Sequence, residues 1–196
     1  MSYSSFKYSD LRHKFGIQEE RGILFENLKP VQPTDWLKKT LELNSRMPIL
    51  SEKAKSELIV SPILVDIWEQ NQECFTIFSG VNLDADPESG LNGECDFIFC
   101  YEPRKVYMLT SPIFTIVEAK NDNIANAIPQ CIAQMLGAKL FNENEGKPIS
   151  DIYGCVTTGK DWQFLKLTGS KVTINQIITD IPEILGFLQC IIDCNP

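Results

Sequence analysis

The strongest chemical signal in this sequence is a pair of charged residues at the end of an apolar run. Residues 113–120, Ile-Phe-Thr-Ile-Val-Glu-Ala-Lys, have the composition of a β-strand and end with Glu118 and Lys120. Because side chains alternate across a strand, these two residues point to the same face, two positions apart. A carboxylate and an ammonium group are therefore predicted to lie together where a buried strand reaches water.

A second carboxylate is predicted near this pair. Asp96 follows Gly-Glu-Cys and precedes Phe-Ile-Phe in a second predicted strand, residues 94–101. If the two strands pair antiparallel, their backbones lie about 5 Å apart, so Asp96 can approach Glu118. Two carboxylates this close repel each other unless a positive charge lies between them. Mg²⁺, which uses one or two carboxylates with water and substrate phosphate, would supply that charge.

The spacing Glu-x-Lys is common, and this chain contains a second copy. Glu145-Gly146-Lys147 lies in a polar loop without a buried strand before it, so strand context distinguishes the two copies. The alternative for Glu118 and Lys120 is a solvated ion pair at a strand end. The presence of Asp96 and the predicted flanking helices favour the metal site over that alternative.

Three polar residues on predicted helices are candidates to support the site, and each has a simpler interpretation. Glu57 could join the carboxylates, or it could pair with Lys53 four residues earlier on an exposed helix. Gln130 and Gln134 share one helix face because they are four residues apart. That face could line the site or could face solvent.

The predicted elements that position these residues alternate between helix and strand. Hydrophobic periodicity and turn residues predict helices at residues 7–15, 35–45, 51–72, 123–142 or 129–142, and 180–193, and strands at 74–81, 94–101, 113–120, 149–157, 162–167 and 171–174. Pro62 falls inside the third helix and predicts a kink or a restart there. Strands with helices on both sides indicate an α/β fold. At 196 residues the chain is expected to form one domain, residues 1–196.

The composition excludes several kinds of site. The one histidine, His13, lies in a polar N-terminal stretch, which leaves no Ser-His-Asp or Cys-His mechanism and no histidine-rich metal site. The seven cysteines include no Cys-x-x-Cys pair, and several lie in apolar runs, as buried reduced thiols do. Because the sequence has no apolar run long enough for a bilayer and no secretion signal, we expect a cytoplasmic protein without a membrane partner.

The net charge of −8 weighs against a nucleic-acid partner, since affinity for the phosphate backbone comes mostly from basic surface. An uneven charge distribution would remove this objection. The basic residues that could contact phosphate are Arg104, Lys105, Lys139, Lys160 and Lys166. Each of them is otherwise an ordinary surface charge.

The acidic residues, in their order along the chain, resemble the PD-(D/E)XK (restriction-endonuclease-like) nuclease superfamily, including small members common in cyanobacteria. The matching features are Glu57 on a helix, Asp96 in Gly-Glu-Cys-Asp-Phe-Ile-Phe, Glu118-Ala119-Lys120, and Gln130 and Gln134 on the next helix, all within residues 51–167. Cys95 stands where the name-giving proline is expected, a variation that many members tolerate. The long stretch between Asp96 and Glu118 requires an excursion or an extra strand at residues 103–112.

The resemblance implies a fold, an activity and a set of site residues. The fold is a restriction-endonuclease-like αβββαβ core at residues 51–167, with a central mixed sheet flanked by helices and an N-terminal helical extension at residues 1–50. The activity is Mg²⁺- or Mn²⁺-dependent hydrolysis of phosphodiester bonds in DNA. A homodimer is one of the oligomeric states compatible with this expectation. The implied roles are metal binding by Asp96, Glu118 and the carbonyl of Ala119, orientation of the attacking water by Lys120, an accessory acid at Glu57, and support of the site by Gln130. The competing hypothesis is a catalytically silent interaction or cation-binding domain on the same fold.

Overall fold

The computed structural model describes residues 2–72, 74–120 and 123–194, and within them apolar runs form strands and amphipathic segments form helices. The helices are α1 (Tyr8–Phe15), α2 (Asp35–Asn44), α3 (Glu52–Lys55), α4 (Ser61–Gln70), α5 (Ile124–Asn144) and α6 (Ile181–Asp193). The strands are β1 (Gln18–Arg21), β2 (Thr76–Asn82), β3 (Glu94–Cys100), β4 (Ile113–Ala119), β5 (Asp151–Thr157), β6 (Trp162–Thr168) and β7 (Lys171–Ile178). A π-helical turn, Ser56–Val60, joins α3 to α4, and we call these three segments together the composite helix.

The described strands form one mixed sheet in the order β1-β7-β6-β5-β4-β3-β2. The β4–β5 and β1–β7 pairs are parallel, and the other neighbouring pairs are antiparallel. Strand β4 lies inside the sheet and is buried at every residue, which explains its nearly continuous apolar sequence. Helices pack on both faces of this sheet. The expectation of a mixed sheet flanked by helices is therefore confirmed.

Two hydrophobic clusters cover the two faces of the sheet. On one face α1 and α5 pack on the strands, with Ile116 of β4 and Ile132 of α5 in the same cluster. On the other face α2, α4 and α6 pack around residues such as Val117 of β4. Helix α5 lies very close to β5, because a Cβ at Gly154 would be 2.5 Å from the sulfur of Met135. Glycine at that position therefore sets the distance between α5 and the sheet.

Two uncertain points in the predicted helices, the start of α5 and the interruption at Pro62, are resolved by the structure. Asn123 caps α5 by accepting a hydrogen bond from the Ala125 N–H, so the helix begins at Ile124 and Pro129 lies inside it. The interruption predicted at Pro62 instead takes the form of the π-helical turn just before it. Pro62 then lies in the first turn of α4, where its missing N–H costs least.

One segment differs from the sequence-based expectation, and one left with two alternatives is settled. Residues 1–50 were expected to be helical, but β1 lies within them and pairs in parallel with β7. Of the two alternatives for residues 103–112, the structure has the excursion: the segment between β3 and β4 is irregular and contains no strand. Among the described residues, none of the helices combines the length and the apolar character needed to cross a membrane.

Candidate active site at the end of β4

Strand β4 brings Glu118 and Lys120 together as the alternation of side chains predicts. The ammonium nitrogen of Lys120 lies 2.7 Å from Oε1 of Glu118. The Glu118 side chain is 3% exposed, whereas that of Lys120 is 23% exposed. The pair therefore spans the boundary between the buried strand and solvent, with the carboxylate on the inner side.

Two glutamines of α5 hold the same carboxylate from the helix side. Gln130 donates its amide N–H to Oε1 of Glu118, and Gln134 donates to Oε2 at 2.7 Å. The two glutamines are four residues apart and face the sheet, so the interpretation in which this face is solvated is wrong. With Lys120, three donors offset the cost of burying the Glu118 carboxylate.

Asp96 reaches the same strand end from β3. Its Oδ2 accepts a hydrogen bond from the backbone N–H of Ala119 at 2.7 Å. Residues 97 and 117 are opposite each other in the antiparallel β3–β4 pair, so Asp96 lies one position further along. Its carboxylate is therefore anchored to the backbone between Glu118 and Lys120, as the antiparallel pairing predicts.

Burial and neighbouring negative charges raise the pKa values of both carboxylates. Burial, followed by the charge of Asp96, raises the pKa of Glu118 to about 7, although Lys120 and Gln134 act in the opposite direction. Burial also raises the pKa of Asp96 in spite of the Ala119 N–H and the Lys120 charge. The single ammonium group of Lys120 thus leaves the negative charge of this site incompletely compensated.

Lys120 itself remains a strong cation. Burial disfavours its charged form, but the neighbouring carboxylates of Glu118, Glu52 and Asp96 outweigh burial and raise its pKa above the ordinary value. An ammonium group in this setting donates hydrogen bonds and offsets negative charge. It is not available to remove a proton from water at neutral pH.

Glu52 is a site residue that the sequence analysis missed. Its Oε1 lies 3.5 Å from the Lys120 nitrogen, which also contacts Glu118. Its position just after the Ser51 cap is one where acids stabilise a helix N-terminus, so the sequence offers a sufficient local reason for it. The side chain of Glu57, the expected accessory acid, is 61% exposed and its carboxylate lies 3.8 Å from Lys53.

A cleft of about 560 Å³ lies against Asp96 between the composite helix and the β2–β3 hairpin. Both Glu52 and Glu57 line it, together with Glu94 and Asp96. Glu57 thus borders the candidate site without a described contact to Glu118 or Lys120. The cleft gives solvent access to Asp96.

The donor set at this strand end consists of hard oxygen atoms. Among the described residues, no group of three or more His, Cys, Asp or Glu side chains is arranged to hold a metal ion. The two carboxylates of Asp96 and Glu118 could bind an ion whose remaining ligands come from water and substrate, which is the usual coordination of Mg²⁺ in proteins. Ala119, the expected third ligand, is 1% exposed, and its backbone N–H donates to Asp96.

Comparison of the chain with models of known protein families gave no match, and comparison with curated proteins gave none.

Proposed function

We propose that this chain is a Mg²⁺- or Mn²⁺-dependent nuclease of the PD-(D/E)XK type that hydrolyses phosphodiester bonds in DNA. The observation that carries the proposal is the gathering of Asp96, Glu118 and Lys120 at one end of β4. The order of the composite helix, β2, β3, β4, α5 and β5 agrees with the αβββαβ core that the sequence resemblance implies. The parallel β4–β5 pair, linked by a helical crossover, is compatible with the same core.

In this proposal Asp96 and Glu118 hold the divalent ion, with the Ala119 carbonyl as a further ligand. When bound, such an ion supplies stabilisation of charge on the phosphoryl oxygens and a water of lowered pKa. The fit rests on the arrangement of charge: the buried carboxylate of Glu118 and the partly buried carboxylate of Asp96 meet at one strand end, both have raised pKa values, and Lys120 is the ammonium group beside them. An added cation would relieve the repulsion between the two carboxylates.

Lys120 and the glutamines act by position and charge. Because Lys120 stays protonated, it would donate a hydrogen bond to the attacking water or to a phosphate oxygen and offset the developing negative charge. The carboxylates of Glu52 and Glu118 both contact its ammonium group, at 3.5 and 2.7 Å. Gln130 donates a hydrogen bond to Oε1 of Glu118, the oxygen that also contacts Lys120.

The test is cleavage of plasmid, linear and single-stranded DNA and of RNA, with Mg²⁺ or Mn²⁺ and with EDTA. Wild-type protein should cleave DNA only with the metal, and Asp96→Asn should be inactive. Lys120→Met should be slower by about 100-fold or more, the usual cost of losing one preorganised group that stabilises charge. Glu145→Gln, in the second Glu-x-Lys copy, is the matched control and should keep full activity. Unchanged cleavage by Lys120→Met would refute the assignment.

The competing function is a cation-binding or interaction domain without catalysis, and the distribution of charge favours it. The net charge is −8, and four acidic side chains line the cleft. Three candidate phosphate contacts are paired with acids: Arg104 with Glu102 at 2.7 Å, Lys139 with Glu143 at 3.8 Å, and Lys166 with Asp151 at 2.9 Å. This alternative predicts Mn²⁺ binding that Asp96→Asn abolishes, with no cleavage of any nucleic acid by the wild type.

A further inference from the structure

Gln134 is a buried polar residue with an unusual hydrogen-bond balance. The residue is 0% exposed, and its amide nitrogen donates to Oε2 of Glu118 at 2.7 Å. Its own oxygen, Oε1, is buried and has no hydrogen-bond donor among the described residues. A buried acceptor without a donor costs stability, so an apolar side chain of similar length would suit the packing alone better. The orientation of the amide places its N–H group against Glu118 and leaves its oxygen without a donor.

The two oxygens of Glu118 have different surroundings. Oε1 receives hydrogen bonds from Lys120 and Gln130, which are both partly exposed. Oε2 receives its hydrogen bond from Gln134, which lies deeper. The last torsion of a glutamate side chain has a broad energy profile, so packing alone does not fix the rotation of the carboxylate. Holding one oxygen therefore determines where the other one points.

We propose that Gln134 is a positioning residue: by holding Oε2 of Glu118 in the interior, it directs Oε1 toward Lys120 and toward a divalent cation. The inference rests on the proposed function for the cation, and it extends that function to a residue that does not touch the substrate. It also gives a reason for the unsatisfied amide oxygen. The donor is needed at Oε2, and the acceptor is left in the apolar layer between α5 and the sheet.

The variant that tests this is Gln134→Met, which keeps the length of the side chain and removes the donor. Its matched control is Gln163→Met, since Gln163 is another buried glutamine, 5% exposed, whose amide donates to the Asn175 carbonyl at 2.9 Å. Gln163 lies on β6, which β5 separates from β4. Both variants lose one buried hydrogen bond, so both should lose stability. Only Gln134→Met should disturb the site.

Two readouts separate positioning from a general loss of stability. In titration calorimetry with Mn²⁺, Gln134→Met should bind at least about 10-fold more weakly than wild type, as for other residues that orient a ligand, and Gln163→Met should match the wild type. In metal-free crystal structures, the 2.7 Å contact between Glu118 Oε1 and Lys120 should be lost in Gln134→Met and kept in Gln163→Met. If Gln134→Met does not fold, Gln134→Asn, whose amide is too short to reach, should give the same two results.

A Glu118 carboxylate that keeps its wild-type position in the variant overturns the proposal, whatever the Mn²⁺ affinity. Equal Mn²⁺ affinity in Gln134→Met and wild type overturns it as well. If wild-type protein binds no Mn²⁺, the proposed function fails separately. The crystal structures then decide on Gln134 by themselves, with a displaced carboxylate supporting its positioning role and an undisplaced one refuting it.

Discussion

Glu118 should make the folded protein less stable as the pH rises toward neutrality, and Glu118→Gln should remove that loss. Burial and the charge of Asp96 raise the pKa of Glu118 from 4.5 to about 7 in the folded chain. Between these two values the folded state keeps a proton that the unfolded state has released. Because the folded state binds more protons in this window, the free energy of unfolding falls as the pH increases.

The size of the effect follows from the shift. One pKa unit corresponds to about 1.4 kcal/mol, so the shift of Glu118 corresponds to about 3 kcal/mol in total. The stabilising contribution is fully present below the unfolded pKa of 4.5 and is lost as the pH rises through about 7. Some 2–3 kcal/mol of it should disappear between about pH 5 and about pH 8.

Urea unfolding at a series of pH values measures this loss directly. The difference in unfolding free energy between wild type and Glu118→Gln should change by about 2–3 kcal/mol across the window, in favour of the variant at high pH. Glu145→Gln removes the same charge from an exposed residue and should follow the wild-type profile. Two outcomes would refute the electrostatic account of the site. One is an unfolding free energy that depends on pH in the same way in wild type and Glu118→Gln, and the other is a wild type whose stability relative to the variant increases as the pH rises.

Three substitutions outside the site test the packing that positions it, each by the change in urea unfolding free energy. Asn142→Leu should cost at least about 2 kcal/mol, because the Asn142 amide bonds both the N–H and the carbonyl of Ile113 at 2.7 Å; a loss under about 0.5 kcal/mol would contradict this. Gly154→Ala should cost about 1–3 kcal/mol, since the added methyl group meets two α5 sulfurs at 2.5 and 2.8 Å, and a neutral result would mean that α5 shifts freely. Thr34→Val should cost about 1 kcal/mol or more, because its hydroxyl caps α2 and binds the buried Asp66, whereas unchanged stability would show that the cap is dispensable.

Where hydrophobic pattern and charge coincide, the sequence was sufficient to predict the structure. The apolar run of β4 ends in Glu118 and Lys120, and side-chain alternation alone places them on one face. The position of Asp96 required one further assumption, the antiparallel pairing of β3 with β4, which the register confirms. The start of α5 stayed ambiguous because both Asn123 and Pro129 are compatible with a helix N-terminus.

The features that were missed depend on contacts distant in sequence. Strand β1, Gln-Glu-Glu-Arg, has no apolar residue and is exposed throughout, so its pairing with β7 defines it and hydrophobic pattern cannot. Glu20 of β1 contacts Lys171 at 2.8 Å, a partner far away along the chain. Glu52 was overlooked because an acid just after a helix cap has a sufficient local explanation, and its partner Lys120 is distant in sequence.

The most direct test of the cation site is a crystal structure grown with Mn²⁺ and measured for its anomalous signal. The account predicts a peak at ligand distance, about 2 Å, from both the Asp96 and the Glu118 carboxylates, and no such peak in crystals of Asp96→Asn. A wild-type crystal without a peak there, or with Mn²⁺ bound only at exposed acids such as Glu57, would contradict it.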